Sequence, residues 1–286
     1  MYIRSLCQED FGQIERIAPF AAVQLKYNRG VSEDHGVCLI DGDKLAGFGY
    51  LTLHQTRKQD ELKITYDMFT EPEYEDNRKA RELLTDGILE SFRCIQKENP
   101  GVKVYLNEYA ETDELKDIQF LLEKGFIINA VSPVLKYDLN QEIRHYPLPE
   151  GIVIERMQFN KDSMDAYLHA DQLVGEEMNA ETDLWFHTGD SSFGCYVAKF
   201  RDEMVGSVSV WNISDERGAT ENIFVIPGYR RQNIARELIA TAFEELKERG
   251  MKIATLSVAG RNLPAIRLYL SCGYSLYYNL LELRCE

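Results

Sequence analysis

Residues Ala219–Leu238 read ATENIFVIPGYRRQNIAREL. Ile223, Phe224, Val225 and Ile226 form a run of β-branched and aromatic side chains, the mark of a strand. Pro227 ends it, because proline has no N–H to give a ladder, and Gly228 supplies turn chemistry. From Ile234 the apolar residues recur at helical spacing through Leu238, Ala242 and Leu246, until Gly250 stops the helix. Arg230, Arg231, Gln232 and Asn233 fill the turn between strand and helix. The first amides of a helix have no partner inside it, and the helix dipole puts partial positive charge there. With two arginines beside them, those amides make either a pyrophosphate seat or a basic surface loop.

A second stretch, Asn262–Tyr274, reads NLPAIRLYLSCGY. Taken together, the two stretches resemble the acyl-CoA-binding motifs of the GNAT N-acetyltransferase superfamily. Val225, Pro227, Arg230 and Ala235 match the first motif. Asn262, Ala265, Leu268, Tyr269, Gly273 and Tyr274 match the second. One position departs: Asn233 stands where the family usually has glycine. Asparagine tolerates unusual backbone angles better than most residues, so a tighter but usable loop is expected. A strand over Ile253–Val258 lies between the motifs, in the order that the family requires.

Composition narrows the alternatives. The 286 residues are enough for two ordinary domains, and 44% hydrophobic content suffices for packed cores. No apolar run approaches the ~20 residues of a membrane helix, and the start MYIRSLCQEDFG carries acids where a signal peptide needs an apolar core. The expected setting is cytoplasmic. Six cysteines are scattered without a CxxC pair, and five histidines without ligand spacing, so neither a disulfide scaffold nor a metal site is expected. The net charge of −15 is spread evenly. It disfavours nucleic acid as a partner and suits a cationic small molecule or peptide, besides keeping the chain soluble; without an apolar run, no membrane partner is expected either.

Read in order, the chain gives a strand over 1–6 and helices over 9–27 broken near Pro19. Strands follow over 37–40 and 45–56, joined by a turn at Asp41-Gly42-Asp43, and then one over 62–70. A long helix over 75–98, a strand over 102–109, a helix over 113–124 and a pair of strands over 126–139 complete the first half. Residues 141–151, QEIRHYPLPEG, have the prolines and lost periodicity of a linker. The pattern then restarts: strand 152–157, helix 161–178, a hairpin over 195–200 and 204–213, the central stretch, helix 263–271 and terminal strands across 275–285.

The two halves repeat at the level of residues. Aligning Pro72 with Pro227 brings Tyr74 onto Tyr229, Ala80 onto Ala235 and Arg81-Glu82-Leu83 onto Arg236-Glu237-Leu238. The chain is similar to tandem GNAT proteins. The resemblance implies an α/β fold, a mixed α+β sheet in each of two tandem GNAT-like domains, mostly antiparallel and flanked by helices. The expected limits are a degenerate domain at 1–140, a linker at 141–151 and an acetyl-CoA-binding domain at 152–286. In the first half Glu75 and Asp76 take the places of Arg230 and Arg231, and two carboxylates repel a pyrophosphate. Glu114 stands for Asn262 and Leu121 for Tyr269.

The resemblance also implies roles. The strand before the loop carries a bulge that splays it from its parallel neighbour. The pantetheine arm of acetyl-CoA pairs with the freed backbone of Phe224, Val225 and Ile226. Arg230 and Arg231, with the amides of Gln232, Asn233, Ile234, Ala235, Arg236 and Glu237, take the pyrophosphate, and Asn262 serves the cofactor from the second motif. Tyr269 is the general acid for the departing thiolate or a packing residue beside the cofactor. Glu221 is a general base or a solvated strand-end carboxylate. An acceptor amine is expected beside 174–190, where Glu176, Glu177, Glu181 and Asp183 accompany Trp185, Phe186 and His187. Carboxylates among aromatics suit a cation, and also suit an ordinary loop over core aromatics. The implied activity is N-acetyl transfer to a primary amine of a small molecule or peptide. The alternative is a non-catalytic acyl-CoA-binding sensor, and aminoacyl transfer from tRNA is disfavoured by the acidic charge.

Overall fold

The structure is a computed structural model of the chain and describes residues 1–28, 30–31, 33–55, 60–174, 188–189 and 191–286. Two compact units divide it. The first comprises Met1–Glu108, Leu122–Ile127 and Leu283–Glu286, and the second Tyr109–Leu121 and Ile128–Glu282.

In the first unit, strands β1 (Tyr2–Ser5), β2 (Val37–Asp41), β3 (Lys44–Gln55), β4 (Glu61–Thr70) and β5 (Lys103–Glu111) follow one another in the sheet. Helices α1 (Phe11–Ile17) and α2 (Pro19–Tyr27) break at Ala18, because Pro19 can start a helix but not continue one. Their Ile14, Ala21 and Leu25 pack with Cys38, Ile40, Phe48 and Tyr50 of the strands. Helix α3 (Arg78–Glu98) begins three residues later than its pattern predicts, behind a short 3₁₀ turn at Pro72–Tyr74. β4 pairs with β3 in unbroken register from Gly47↔Thr70 to Gln55↔Leu62.

Helix α4 (Leu115–Glu123) precedes β6 (Ile127–Asp138). The sequence predicts a pair of strands here, ahead of a boundary at residue 140. The structure has one long strand, which pairs antiparallel with β11 (Ile253–Ser257) from Val134↔Ser257 to Asp138↔Ile253. β6 thus belongs to the second unit's sheet, ordered β12 (Ser275–Cys285), β6, β11, β10 (Arg217–Val225), β9 (Glu203–Asn212), β8 (Gly194–Phe200) and β7 (Ile152–Arg156). The terminal strands read across 275–285 are likewise a single strand.

Helix α5 (Lys161–Gln172) covers one face of that sheet. Its Met164 and Tyr167 are buried with Cys195, Val197 and the half-buried Phe224. Helix α6 (Ile234–Glu248) buries Ile234, Leu238, Ile239, Ala242, Phe243 and Leu246 in the second unit's larger apolar core. Each large apolar side chain withdrawn from water there stabilises the fold by about 1.5–3 kcal/mol. Helix α7 (Leu263–Ser271) adds Tyr269, with Ala265 and Ile266 half-buried beside it. Gly273 follows α7 with a φ of 95°, a conformation glycine adopts without strain, and a Cβ there would lie 3.0 Å from the Tyr137 ring. No described helix is long and apolar enough to cross a membrane.

Candidate active site

The site is opened by a fault in β10. Glu221 pairs with Ser209 and Phe224 with Ser207, so Asn222 and Ile223 together oppose Val208. That is a β-bulge, and Asn222 takes it up with a φ of 50°. On its other side β10 pairs parallel with β11 only from Arg217↔Ile253 to Ala219↔Thr255. Beyond Ala219 the strands part. At the fork, side chains replace the ladder: Thr220 Oγ1 lies 2.5 Å from Tyr274 Oη and donates to Thr255 O at 3.3 Å. Downstream, Ile223, Phe224 and Val225 line a cleft of about 1320 Å³.

The turn after β10 forms the cleft's polar wall. Arg231 (φ 67°) and Asn233 (φ 65°) are both left-handed. Asn233 thereby supplies the conformation for which the family uses glycine. Its side chain does not cap α6 and instead accepts from Arg236 Nη1 at 2.9 Å. Left-handed residues running into a helix turn successive N–H groups toward one point, a concavity that holds anions. Arg230 Nε donates to Val225 O at 2.9 Å, fixing the guanidinium at the mouth of the splayed strand.

Arg230, Arg231, Arg236, Arg261 and Arg267 all line the cleft, and among the described lining residues there is no aspartate or glutamate. The chain as a whole has 47 acidic and 32 basic residues, so this concentration of positive charge selects for an anionic ligand. Asn233, Ile234, Ala235 and Asn262 line it too. The Asn262 side chain caps α7, accepting from Ala265 N at 3.2 Å.

Three predicted cofactor residues are not brought to the lining. The Ile226 amide donates to Val205 O. Gln232 lies outside the lining residues. The Glu237 carboxylate is held by the linker, accepting from Tyr146 N at 2.6 Å and lying 2.9 Å from His145 Nδ1. Arg261 and Arg267 are additions to the predicted set, although Arg267 stands inside the quoted motif. Which arginines converge depends on the phase of α7 against the loop of α6, and spacing within either stretch does not carry that.

Tyr269 is buried at the cleft wall, with its ring 5.9 Å from that of Tyr274. Its hydroxyl makes no hydrogen bond among the described residues, and burial pushes it up to about 12. It therefore remains a proton donor throughout the physiological range. Glu221, at the upstream edge of the bulge, is not among the cleft-lining residues. Solvent reaches its side chain, but the surrounding protein strips most of its hydration and raises the carboxyl to about 7. The acceptor candidates Glu176, Glu177, Glu181, Asp183, Trp185, Phe186 and His187 lie outside the described residues. Trp211 is half-buried, its ring stacked on Phe193 at 6.5 Å.

The first unit differs at each of these points. Its β4 has no bulge. Tyr66 occupies the place of Glu221 and is buried against Phe126, its hydroxyl bonded to Glu108. At the start of α3 the Asn77 side chain caps the helix, accepting from Ala80 N at 3.1 Å. The turn carries Glu71, Glu73, Glu75 and Asp76.

Comparisons with known proteins agree with this geometry. Residues 158–274 match the model of the acetyltransferase (GNAT) family. A [ribosomal protein bS18]-alanine N-acetyltransferase of Escherichia coli (strain K12) is 41% identical over 54 residues, 19% of this chain and 36% of that one. The match thus spans about a third of that relative's length. A tandem GNAT protein from the clavulanic acid biosynthesis pathway superposes with a TM-score of 0.69 at 12% identity, covering 100% of this chain and 97% of the other. A GCN5-related N-acetyltransferase from Sphaerobacter thermophilus gives a TM-score of 0.64 at 18% identity, covering 99% and 95%. The second unit thus carries the match to the acetyltransferase (GNAT) family, and the chain as a whole has the fold of tandem GNAT proteins.

Proposed function

We propose that the second unit transfers an acetyl group from acetyl-CoA to an amine, and that the first unit has kept the fold without the cofactor site. The observation that carries this reading is the cleft itself: five arginines line a groove entered through a bulged strand edge that has left its parallel partner. A diphosphate fits the arginine loop and amide concavity. An extended amide-bearing arm fits the free edge of β10 as an added strand would. When bound, acetyl-CoA supplies the activated acyl group as a thioester.

The chain's own residues would do the rest. A backbone N–H near Val225 polarises the thioester carbonyl. Glu221, or a water that it binds, takes a proton from the acceptor amine. Tyr269 protonates the departing sulfur. The acceptor class is a primary amine on a small molecule or peptide. The Escherichia coli relative acts, by its name, on an alanine of a ribosomal protein, and the net charge of −15 favours a cationic acceptor. Release of free thiol from acetyl-CoA, measured against a panel of amines and basic peptides, tests the activity. Silence across the panel, with cofactor binding intact, would leave a binding protein instead.

Calorimetric titration with coenzyme A should give one site per chain. Glu75, Asp76 and the capped α3 leave the first unit without an anion seat, so two equivalent sites would overturn the assignment. The rate profile should also respond to pH in a defined sense. Glu221 must be ionised to accept a proton, and its carboxyl is held near 7. Activity should therefore rise through a midpoint near pH 7, and Glu221→Gln should remove that limb. A limb that survives Glu221→Gln would mean that another group is the base.

A further inference from the structure

Beneath Glu221 lies a pair of hydroxyls that the reaction outlined above does not use. Tyr167 of α5 and Ser209 of β9 are both fully buried, and among the described residues neither Tyr167 Oη nor Ser209 Oγ has a partner in good hydrogen-bonding geometry. They are close to one another: the Tyr167 hydroxyl faces Ser207 and Ser209 without achieving good bonding geometry. Ser209 sits directly across the ladder from Glu221 and, on its other side, from Cys195. Residues opposite one another on antiparallel strands point to the same face, with Cβ atoms about 4.5–5.5 Å apart. Glu221, Ser209 and Tyr167 therefore lie side by side on the α5 face of the sheet.

Glu221 in turn makes no hydrogen bond or ion pair with any described residue. Beside this solvent-reached carboxylate, two adjacent buried hydroxyls thus lack partners among the described residues, where buried polar groups are nearly all satisfied. Phenylalanine at 167 would keep the ring contacts with Phe159 and Phe224, and alanine at 209 would suit a buried strand. Either would remove an unsatisfied hydroxyl whose burial is a standing cost. A cost kept at two adjacent positions beside the one acidic side chain on β10 is the pattern of a functional group rather than of packing.

We propose that Ser209 and Tyr167 are positioning residues for Glu221: as the carboxyl loses its proton, Ser209 turns to donate to it, and Tyr167 donates to Ser209. The inference rests on Glu221 being the base. A serine hydroxyl needs only a rotation about one bond to exchange partners. A donor on the charged form favours ionisation, and a second donor behind the first strengthens it. The line Tyr167–Ser209–Glu221 would thus set when Glu221 becomes a base and hold it against the bulge, facing the acceptor amine. The other titratable groups on the described elements around it are Cys195 of β8, which bonds Ser207 at 3.5 Å, and the buried Asp171 of α5. β11 has none facing it.

The test requires no acceptor. Glutamate carrying carbon-13 at its carboxyl is incorporated into the full chain, and the Glu221 signal, assigned by its loss in Glu221→Gln, is titrated by NMR. The parent protein should show a midpoint near 7. Ser209→Ala should raise it by about 0.5–1 pH unit, the scale of one lost hydrogen bond to a charged group. Tyr167→Phe should raise it by less, and the double variant by no more than Ser209→Ala alone, because the tyrosine acts through the serine. Below the midpoint, where the carboxyl is protonated and the hydroxyls have nothing to serve, both single variants should melt no lower than the parent; above it Ser209→Ala should lose stability, because the ionised carboxylate has lost its donor. Midpoints that coincide within ~0.2 unit across the three would overturn this inference and leave Glu221 as the base. The base assignment itself falls separately, if the pH limb of the rate survives Glu221→Gln.

Discussion

Tyr269→Phe should lower turnover by about 10²–10⁴-fold with coenzyme A affinity nearly unchanged. The substitution keeps the ring, its edge contact with Tyr274 and its place in the apolar core. It removes only the hydroxyl, which is spent on no other residue among those described. Held near 12 by burial, that hydroxyl can protonate a thiolate but cannot be lost to solvent as a phenolate near neutral pH. Single-turnover thiol release at saturating acetyl-CoA separates the outcomes. A silent substitution would make Tyr269 a packing residue. Weaker binding with turnover intact would make it a cofactor ligand, and water would have to be the acid.

Arg230→Glu should weaken coenzyme A binding by roughly 30- to 1000-fold, corresponding to about 2–4 kcal/mol. The effect has two parts. A charge-assisted hydrogen bond to phosphate is lost, and a carboxylate takes its place beside the amide concavity. The variant also copies the first unit, where Glu75 stands at the equivalent position. The bond from Arg230 Nε to Val225 O would go as well, so the loop could loosen. Calorimetry paired with circular dichroism distinguishes a local loss from unfolding. Unchanged affinity in a folded variant would place the phosphates elsewhere, with Arg261 and Arg267 the next to test.

A lesser point links these variants to the linker. Arg236 lines the cleft, its guanidinium 5.5 Å from the Tyr146 ring centre and bonded to Ser271 Oγ at 3.3 Å. His145 lies between Glu237 and Glu244, which raise its proton affinity. Residues that looked like a passive connector are thus tied to the helix that presents the anion seat. Truncations made through 141–151 would disturb the cleft.

Much of this protein was legible in its sequence because the decisive signals are local. The apolar run at Ile223–Ile226, the proline that closes it, the helical spacing from Ile234 and the glycine after Ser271 each act over one turn or one strand. Backbone sterics and burial fix such elements whatever lies around them. The replacement of Arg230 and Arg231 by Glu75 and Asp76 was equally plain, since charge is a property of residue type. What only the tertiary structure decided is non-local. The resemblance implies a bulge before the loop but not its place at Asn222: β10 must satisfy β9 on one side and leave β11 on the other, and no residue pattern records a register against another strand. β6 joins the second unit's sheet for the same reason: its partner is β11, far along the chain. The convergence of Arg261 and Arg267 on the loop of α6, and of Tyr167 and Ser209 on Glu221, depends on how helices are phased against strands. Those distances are set by packing of the whole core, which a sequence specifies only collectively.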